Sequence, residues 1–313
     1  MNKLAPIFII FAAMLWGIDG IVLRPELYSL PVGLVVLIES SIVAIYLSPI
    51  LFKNIASLKS LESKDWLAFA GVALFGGAIG GMCITKALFY VNFVNLSIVI
   101  LIQKLQPLFA LGLAGIILKE RLPRRFFNWA ALAIFGTYLM TFGFKLPNIS
   151  TDNKNLLAAM YAVIAAFSFG FSTVLSKRAL QNVSFELGTY LRFGIASIIM
   201  ILVVFSLGEF KEITSINNSQ WFVFLIIAFT TGGPAIFIYY YGLKNITASS
   251  STILELAFPL TAIILEYFLH DNILSFVQWI GVVILIYSIT NVVKLSNKRR
   301  AELRNSKLKL GDI

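Results

Sequence analysis

Cysteine and histidine each occur once in these 313 residues, as Cys83 and His270. A lone thiol excludes an intramolecular disulfide framework, and so few soft ligands exclude the usual zinc and iron sites. Charge is scarce as well. Asp, Glu, Lys and Arg make up 13% of the chain against 59% hydrophobic residues, whereas soluble domains carry about 25% charged residues. With a mean hydropathy of +0.88, the composition is that of a polytopic membrane protein. Polar stretches long enough for a soluble domain are missing too, so any chemistry takes place inside a bilayer or at its faces.

What is present is a succession of apolar runs. A membrane-crossing helix needs roughly 20 largely apolar residues. Windows of that kind fall at about 5–23, 32–52, 66–90, 94–118 and 126–144, and again at about 155–176, 186–207, 220–242, 247–269 and 275–295. The predicted fold class is therefore all-α, with ten transmembrane helices. The first run follows Lys3 much as a signal peptide would. No small-residue cleavage site ends it, and it continues into WGIDG, so it is expected to be retained.

The second half echoes the first. Pro107 in IQKLQPLFALGL and Pro259 in LELAFPLTAIIL lie 152 residues apart, and Ser97, Leu108, Ala110 and Leu113 recur as Ser249, Leu260, Ala262 and Leu265. LWG at Leu15 to Gly17 aligns with SFG at Ser168 to Gly170, Trp66 with Trp221, Gly77 with Gly232, and Trp129 with Trp279. These matches predict a five-helix repeat at 1–150, a second at 151–296, and a basic tail at 297–313. Five is odd, so the second copy enters the bilayer upside down, the architecture of many secondary transporters.

Charge placement supports this arrangement. If the N-terminus is cytoplasmic, the loops and tail on that side hold most of the basic residues, while the other face has only Arg24, Lys145, Lys154 and Lys211. The positive-inside rule then places both termini in the cytoplasm, and the expected location is the cytoplasmic (inner) membrane. The loop KERLPRR after the fourth window has four basic residues, and its counterpart HDNILS has none, as inversion requires. The net charge of +10 is thus a topology signal and a lipid anchor, not a nucleic-acid surface.

Asp19, Glu39, Lys86, Lys104, Arg192, Glu255 and Glu266 fall inside the windows. Each costs about 2.5–3.5 kcal/mol at a helix centre, so they must face a cavity or one another. At about 1.5 Å per residue, Lys104 and Glu255 reach the midplane, and Gln103 aligns with Glu255 at the repeat offset. Trp16 lies deep in the first window, and Gln106 shares a helix face with Gln103. Trp16, Gln103, Lys104, Gln106 and Glu255 are therefore the expected lining of a central substrate cavity, with a structural Lys104–Glu255 ion pair as the alternative. If transport is proton-driven, Asp19 and Glu39 are the expected acceptors, with pairing to Lys86 as the alternative. Lys86, Arg192 and Glu266 are expected in charge pairing or at span ends. Pro107 and Pro259 each remove a helical hydrogen bond and are candidate hinges. Tyr239, Tyr240 and Tyr241 are expected in the interfacial aromatic belt.

The WG pair at Trp16 and Gly17, LIQKLQPLFALGLAGIILKERL, the recurring proline and NWAALAIFGTYL together resemble the EamA-type members of the drug/metabolite transporter superfamily over nearly the whole chain. Two positions depart from that pattern. Glu39 stands where the family often has Arg, with Arg192 keeping the basic residue in the second half, and Glu120 gives way to Asp271 and Asn272. The resemblance implies a secondary transporter for a small metabolite, amino acid or drug-like compound, working by alternating access and favouring efflux. Its expected partners are that substrate, membrane lipids and protons, with no cofactor, as a monomer or homodimer. The rival readings are an intramembrane enzyme, for which no catalytic constellation is visible, and a non-transporting scaffold, which would have little use for seven intramembrane charges.

Overall fold

A computed structural model describes residues 4–90, 99, 102–144, 153–270 and 274–311. Ser97, Asp271 and Asn272 lie outside these residues, as does most of the first third of the fourth window. Among the described residues every regular element is helical.

In the first half, α1 (Ala5–Ile18) runs into a π-helical turn, Asp19–Leu23, and a 3-10 turn, Arg24–Leu27. Next come α2 (Val32–Lys53), α3 (Ile55–Lys59) and α4 (Ser63–Gly71), then a π segment, Val72–Ile79, leading into α5 (Gly80–Tyr90). The half ends with α6 (Gln106–Ile117) and α7 (Arg124–Phe142). The second half contains α8 (Asn153–Ala179), α9 (Phe185–Leu207) and α10 (Asn218–Ile227), with a π turn, Ala228–Gly232, leading into α11 (Gly233–Asn245). It ends with α12 (Ala248–Leu254), a 3-10 turn at Glu255–Ala257, α13 (Phe258–His270) and α14 (Phe276–Gly311).

Local sequence explains several boundaries. Ser184 caps α9 by accepting from Leu187 N at 3.2 Å, and Gly208 ends it at φ +68°, a left-handed conformation that glycine adopts without Cβ strain. Asn217 and Gln220 form a reciprocal capping box that starts α10.

Among the described residues six helical stretches are long and apolar enough to cross a membrane: Val32–Lys53, Ser63–Ala87, Leu156–Ala179, Phe185–Leu207, Asn218–Asn245 and Phe276–Lys298. Ala5–Ile18 and Gln106–Ile117 are apolar but shorter. Large apolar side chains face outward: Leu67, Ile116 and Phe205 are 74%, 76% and 75% exposed. Water disfavours such a surface and lipid accepts it. The chain is a multi-pass membrane protein.

The helix pairing follows a simple pattern. α2 packs on α9 and α7 on α14; α1 packs on α11 and α13, while α8 packs on α5 and α6. Exchanging each first-half helix for its second-half counterpart maps these pairings onto themselves. The α7–α14 contact is close enough to require glycine, since a Cβ on Gly281 would lie 2.3 Å from Met140 N and 2.8 Å from Gly136 O.

The prolines behave differently from expectation. Pro107 and Pro259 each stand second in an α-helical segment, α6 and α13; Pro107 follows a turn at Lys104 and Leu105, and Pro259 follows the 3-10 turn at Glu255–Ala257. A first-turn residue has no intrahelical N–H bond to lose. Each irregular turn therefore lies just before its proline.

Candidate functional site

The helices enclose a cavity of about 760 Å³. At one end it reaches helix termini, at Arg24 and Tyr28 after α1, Phe142 ending α7, and Gln278 early in α14. At the other it runs down to Ser176, Tyr239 and Thr252. Beyond that floor the chain is laced shut. Asp65 takes Arg178 at 3.5 Å and Asn182 at 2.8 Å. Lys177 Nζ donates to the Leu243 and Lys244 carbonyls at 2.8 and 2.9 Å. The Glu120 carboxylate accepts from Ala248 N, Ser249 N and Ser249 Oγ at 2.8, 3.2 and 2.6 Å, binding the start of α12 to the loop after α6.

At the centre stands Glu255, in the 3-10 turn between α12 and α13. Its Oε1 accepts from the Tyr239 hydroxyl at 2.8 Å and Ser251 Oγ at 3.2 Å, and its Oε2 accepts from Gln106 Nε2 at 3.0 Å. The Tyr239 hydroxyl also meets Thr173 Oγ1 at 3.3 Å, and its ring lies against Trp16, with centroids 5.2 Å apart. Lys104 Nζ sits over the Phe258 ring, 4.4 Å from its centroid, a cation–π contact. Arg192 Nη1 donates to the Tyr240 hydroxyl at 3.4 Å, and that hydroxyl meets Ser176 Oγ at 2.9 Å.

The mouth carries a separate ion cluster. Arg24 binds Asp19 Oδ2 through Nε at 2.9 Å and Nη2 at 2.7 Å, and reaches Glu39 Oε2 at 3.4 Å. Thr231 Oγ1 donates to the other Asp19 oxygen at 3.3 Å, while Glu39 Oε1 is buried without a hydrogen-bond partner. Among the described residues no three His, Cys, Asp or Glu side chains gather as metal ligands.

Trp16, Gln103, Lys104, Gln106 and Glu255 thus share one cavity wall with Asp19, Glu39, Arg192, Pro107 and Pro259. In place of the alternative Lys104–Glu255 ion pair there are two separate arrangements, Lys104 on Phe258 and the Glu255 carboxylate on neutral donors. The Lys86 side chain is exposed, 5.9 Å from the Tyr161 ring centroid. It does not pair with Asp19 or Glu39; Arg24 does, because the π and 3-10 turns after α1 carry the guanidinium back onto α2. The Glu266 side chain lies outside the described residues. Tyr239 and Tyr240 are 3% and 0% exposed, which corrects the belt assignment: α11 is an interior helix packed against α1 and α9, so two of its three consecutive tyrosines point inward.

Sequence reasoning missed Arg24, Tyr239, Thr173 and Ser251. Arg24 lies just past the end of its hydropathy window. The hydroxyl residues carry no charge penalty that would single them out.

A multi-pass helical protein with a charged cavity at its centre has the construction of a membrane transporter. The chain belongs to the EamA-like transporter family, whose family model matches it twice, over residues 3–142 and 156–293. It is 43% identical over 292 residues to the riboflavin transporter ImpX of Fusobacterium nucleatum, covering 93% of this chain and 97% of that protein. It is 25% identical over 270 residues to the uncharacterized transporter sll1164 of Synechocystis, covering 80% and 73%. A crystal structure only 16% identical shares the fold at a TM-score of 0.73, covering 95% of this chain and 99% of its own. The protein is a transporter and not an enzyme.

Proposed function

We propose that this protein carries riboflavin, or a flavin of the same chemistry, across the cytoplasmic membrane by alternating access. The observation that carries the reading is the 43% identity, over 97% of its length, with a riboflavin transporter. The cavity is compatible with it. A flavin joins a flat aromatic ring system to a polar edge and a polyhydroxyl chain. Ligand pockets span about 300–1,000 Å³, and 760 Å³ is within that range. Trp16 and Tyr239 offer aromatic surface for a ring, while Gln106, Thr252 and Glu255 offer acceptors for hydroxyls.

Ten spans in two inverted five-helix repeats, 1–150 and 151–296, form the frame of the proposal. The twofold match of the family model and the self-mapping helix pairs support it. With both termini cytoplasmic, the open end of the cavity faces outward, and the Glu120 and Arg178 contacts close the inner end.

Proteoliposomes holding only the purified protein provide the test. Labelled riboflavin should accumulate by counterflow when the vesicles are preloaded with unlabelled riboflavin, and Trp16→Ala should reduce the rate at least tenfold. No accumulation in either membrane orientation would overturn the substrate assignment. Opposite preloading regimes separate the export implied by the family resemblance from uptake.

A further inference from the structure

We infer that Glu255 is the group in the central cavity that takes up and releases a proton during the transport cycle, a role that the Asp19–Arg24–Glu39 cluster is poorly placed to perform. The inference needs the chain to be a transporter and does not depend on the identity of its cargo.

Position is the first argument. A coupling proton must be loaded from one side and released to the other, so its site has to stand where access alternates. Asp19, Arg24 and Glu39 lie together at the mouth, away from the centre; their ion pairs stay within the first half of the chain, and Thr231 of the second half reaches Asp19 at 3.3 Å. Glu255 lies at the centre and is bonded to both halves, through Gln106 at 3.0 Å in the first and Tyr239 at 2.8 Å in the second. Titrating it alters a bond between the halves, and only a ligand that interacts differently with two arrangements can shift the balance between them.

The chemistry of the partners is the second argument. A guanidinium can only donate hydrogen bonds and keeps its charge. Protonating Asp19 would remove the close ion pair at 2.7 Å and leave Arg24 with the longer Glu39 contact at 3.4 Å. The Glu255 partners are neutral groups able both to donate and to accept. When a hydronium ion in cavity water breaks one of its O–H bonds and gives the proton to Oε2, the carboxylate becomes a neutral acid and water is left behind. Gln106 can then turn its carbonyl to accept that proton, while Tyr239 and Ser251 keep donating to Oε1. Both protonation states are satisfied without orphaning a charge.

Besides the mouth cluster, the charged or titratable groups facing this space are Tyr28 after α1, Lys104 before α6, Arg192 of α9 and Tyr239 of α11. Lys104 is held on Phe258 and Arg192 on Tyr240. Among the described residues neither forms an ion pair with Glu255. Tyr239 and Thr173, 3.3 Å apart, extend a hydroxyl path from Glu255 along the wall.

Infrared difference spectroscopy of the full-length protein in lipid, taken between pH 8 and pH 5 without substrate, reads the proton directly. The expected result is a protonated-carboxyl band that is lost in Glu255→Gln, shifted in Tyr239→Phe and retained in Asp19→Asn and Glu39→Gln. Persistence of the band in Glu255→Gln, or its loss in Glu39→Gln, would overturn the assignment, and the Tyr239→Phe shift decides if Glu255→Gln does not fold. In proteoliposomes, one proton per cycle and a gradient of one pH unit should raise accumulation about tenfold. Asp19→Asn and Glu39→Gln should keep that response, and Glu255→Gln should lose it. If riboflavin does not move but the band follows Glu255, the cargo assignment fails and the proton site stands.

Discussion

The Gln106 amide donates to the Glu255 carboxylate across 3.0 Å, joining two segments 149 residues apart in sequence. Each partner stands at a helix break: Gln106 opens α6, and Glu255 fills the turn before α13. A hydrogen bond to a charged group contributes about 1.5–3 kcal/mol. Gln106→Leu should therefore lower thermal stability in detergent by an amount within that range, measured by the unfolding midpoint. An unchanged midpoint would show that this bond does not hold the halves together.

Arg24 answers two carboxylates at once. Its side chain is 29% exposed, so Arg24→Met should cost about 2 kcal/mol, less than the ~3–5 expected when one partner of a fully buried pair is removed. Adding Asp19→Asn and Glu39→Gln to that variant should recover most of the loss, because no charge is then stranded. Failure of the triple variant to recover would mean that Arg24 acts through packing rather than charge.

The α7–α14 seam should tolerate no added volume at Gly281, where a Cβ meets Met140 N at 2.3 Å. Gly281→Leu is expected to abolish a cooperative melting transition. By contrast, Gly112 in α6 has nothing within 4 Å of such a Cβ. Gly112→Ala should be neutral or stabilising by up to about 1 kcal/mol through helix propensity. Equal effects at the two sites would contradict the packing.

Glu209, in the turn after α9 and outside the spans, has its Oε2 buried without a hydrogen-bond partner. Burial raises its carboxyl above the ordinary value of 4.5, and the nearby Lys86 charge opposes that only in part. A raised folded-state value favours the protonated form in the folded protein. Its stabilising contribution is present below the ordinary value and is lost as pH rises through the folded value. Glu209→Gln should match the wild type near pH 4 and melt at a higher temperature near pH 7. A gap that narrows as pH rises would reverse the sign of this reading.

Much of the cavity could be read from composition because charge is so costly in a bilayer. Lys104 and Glu255 had to face something polar, and the spacing of Gln106 from Gln103 carried the amide to the same wall. What escaped the sequence depended on tertiary placement. Hydropathy put Arg24 outside its window, yet a π turn and a 3-10 turn fold it back onto Asp19 and Glu39. Three adjacent tyrosines gave no periodicity to choose among them, and the burial of Tyr239 and Tyr240 follows from α11 being an interior helix. The two prolines each follow an irregular turn, a position that a proline's missing N–H suits.

The π segments at Asp19–Leu23, Val72–Ile79 and Ala228–Gly232 also bear on how this transporter is compared with its relatives. A π turn takes in an extra residue relative to an α turn, so the wall advances by a step that ordinary helical counting omits. A wall residue transferred from a relative by 3.6-residue spacing across such a segment would land about 100° away, facing lipid or a neighbouring helix. Chimeras that exchange whole segments, insertion included, preserve the lining; those spliced inside a π turn rotate everything beyond the splice.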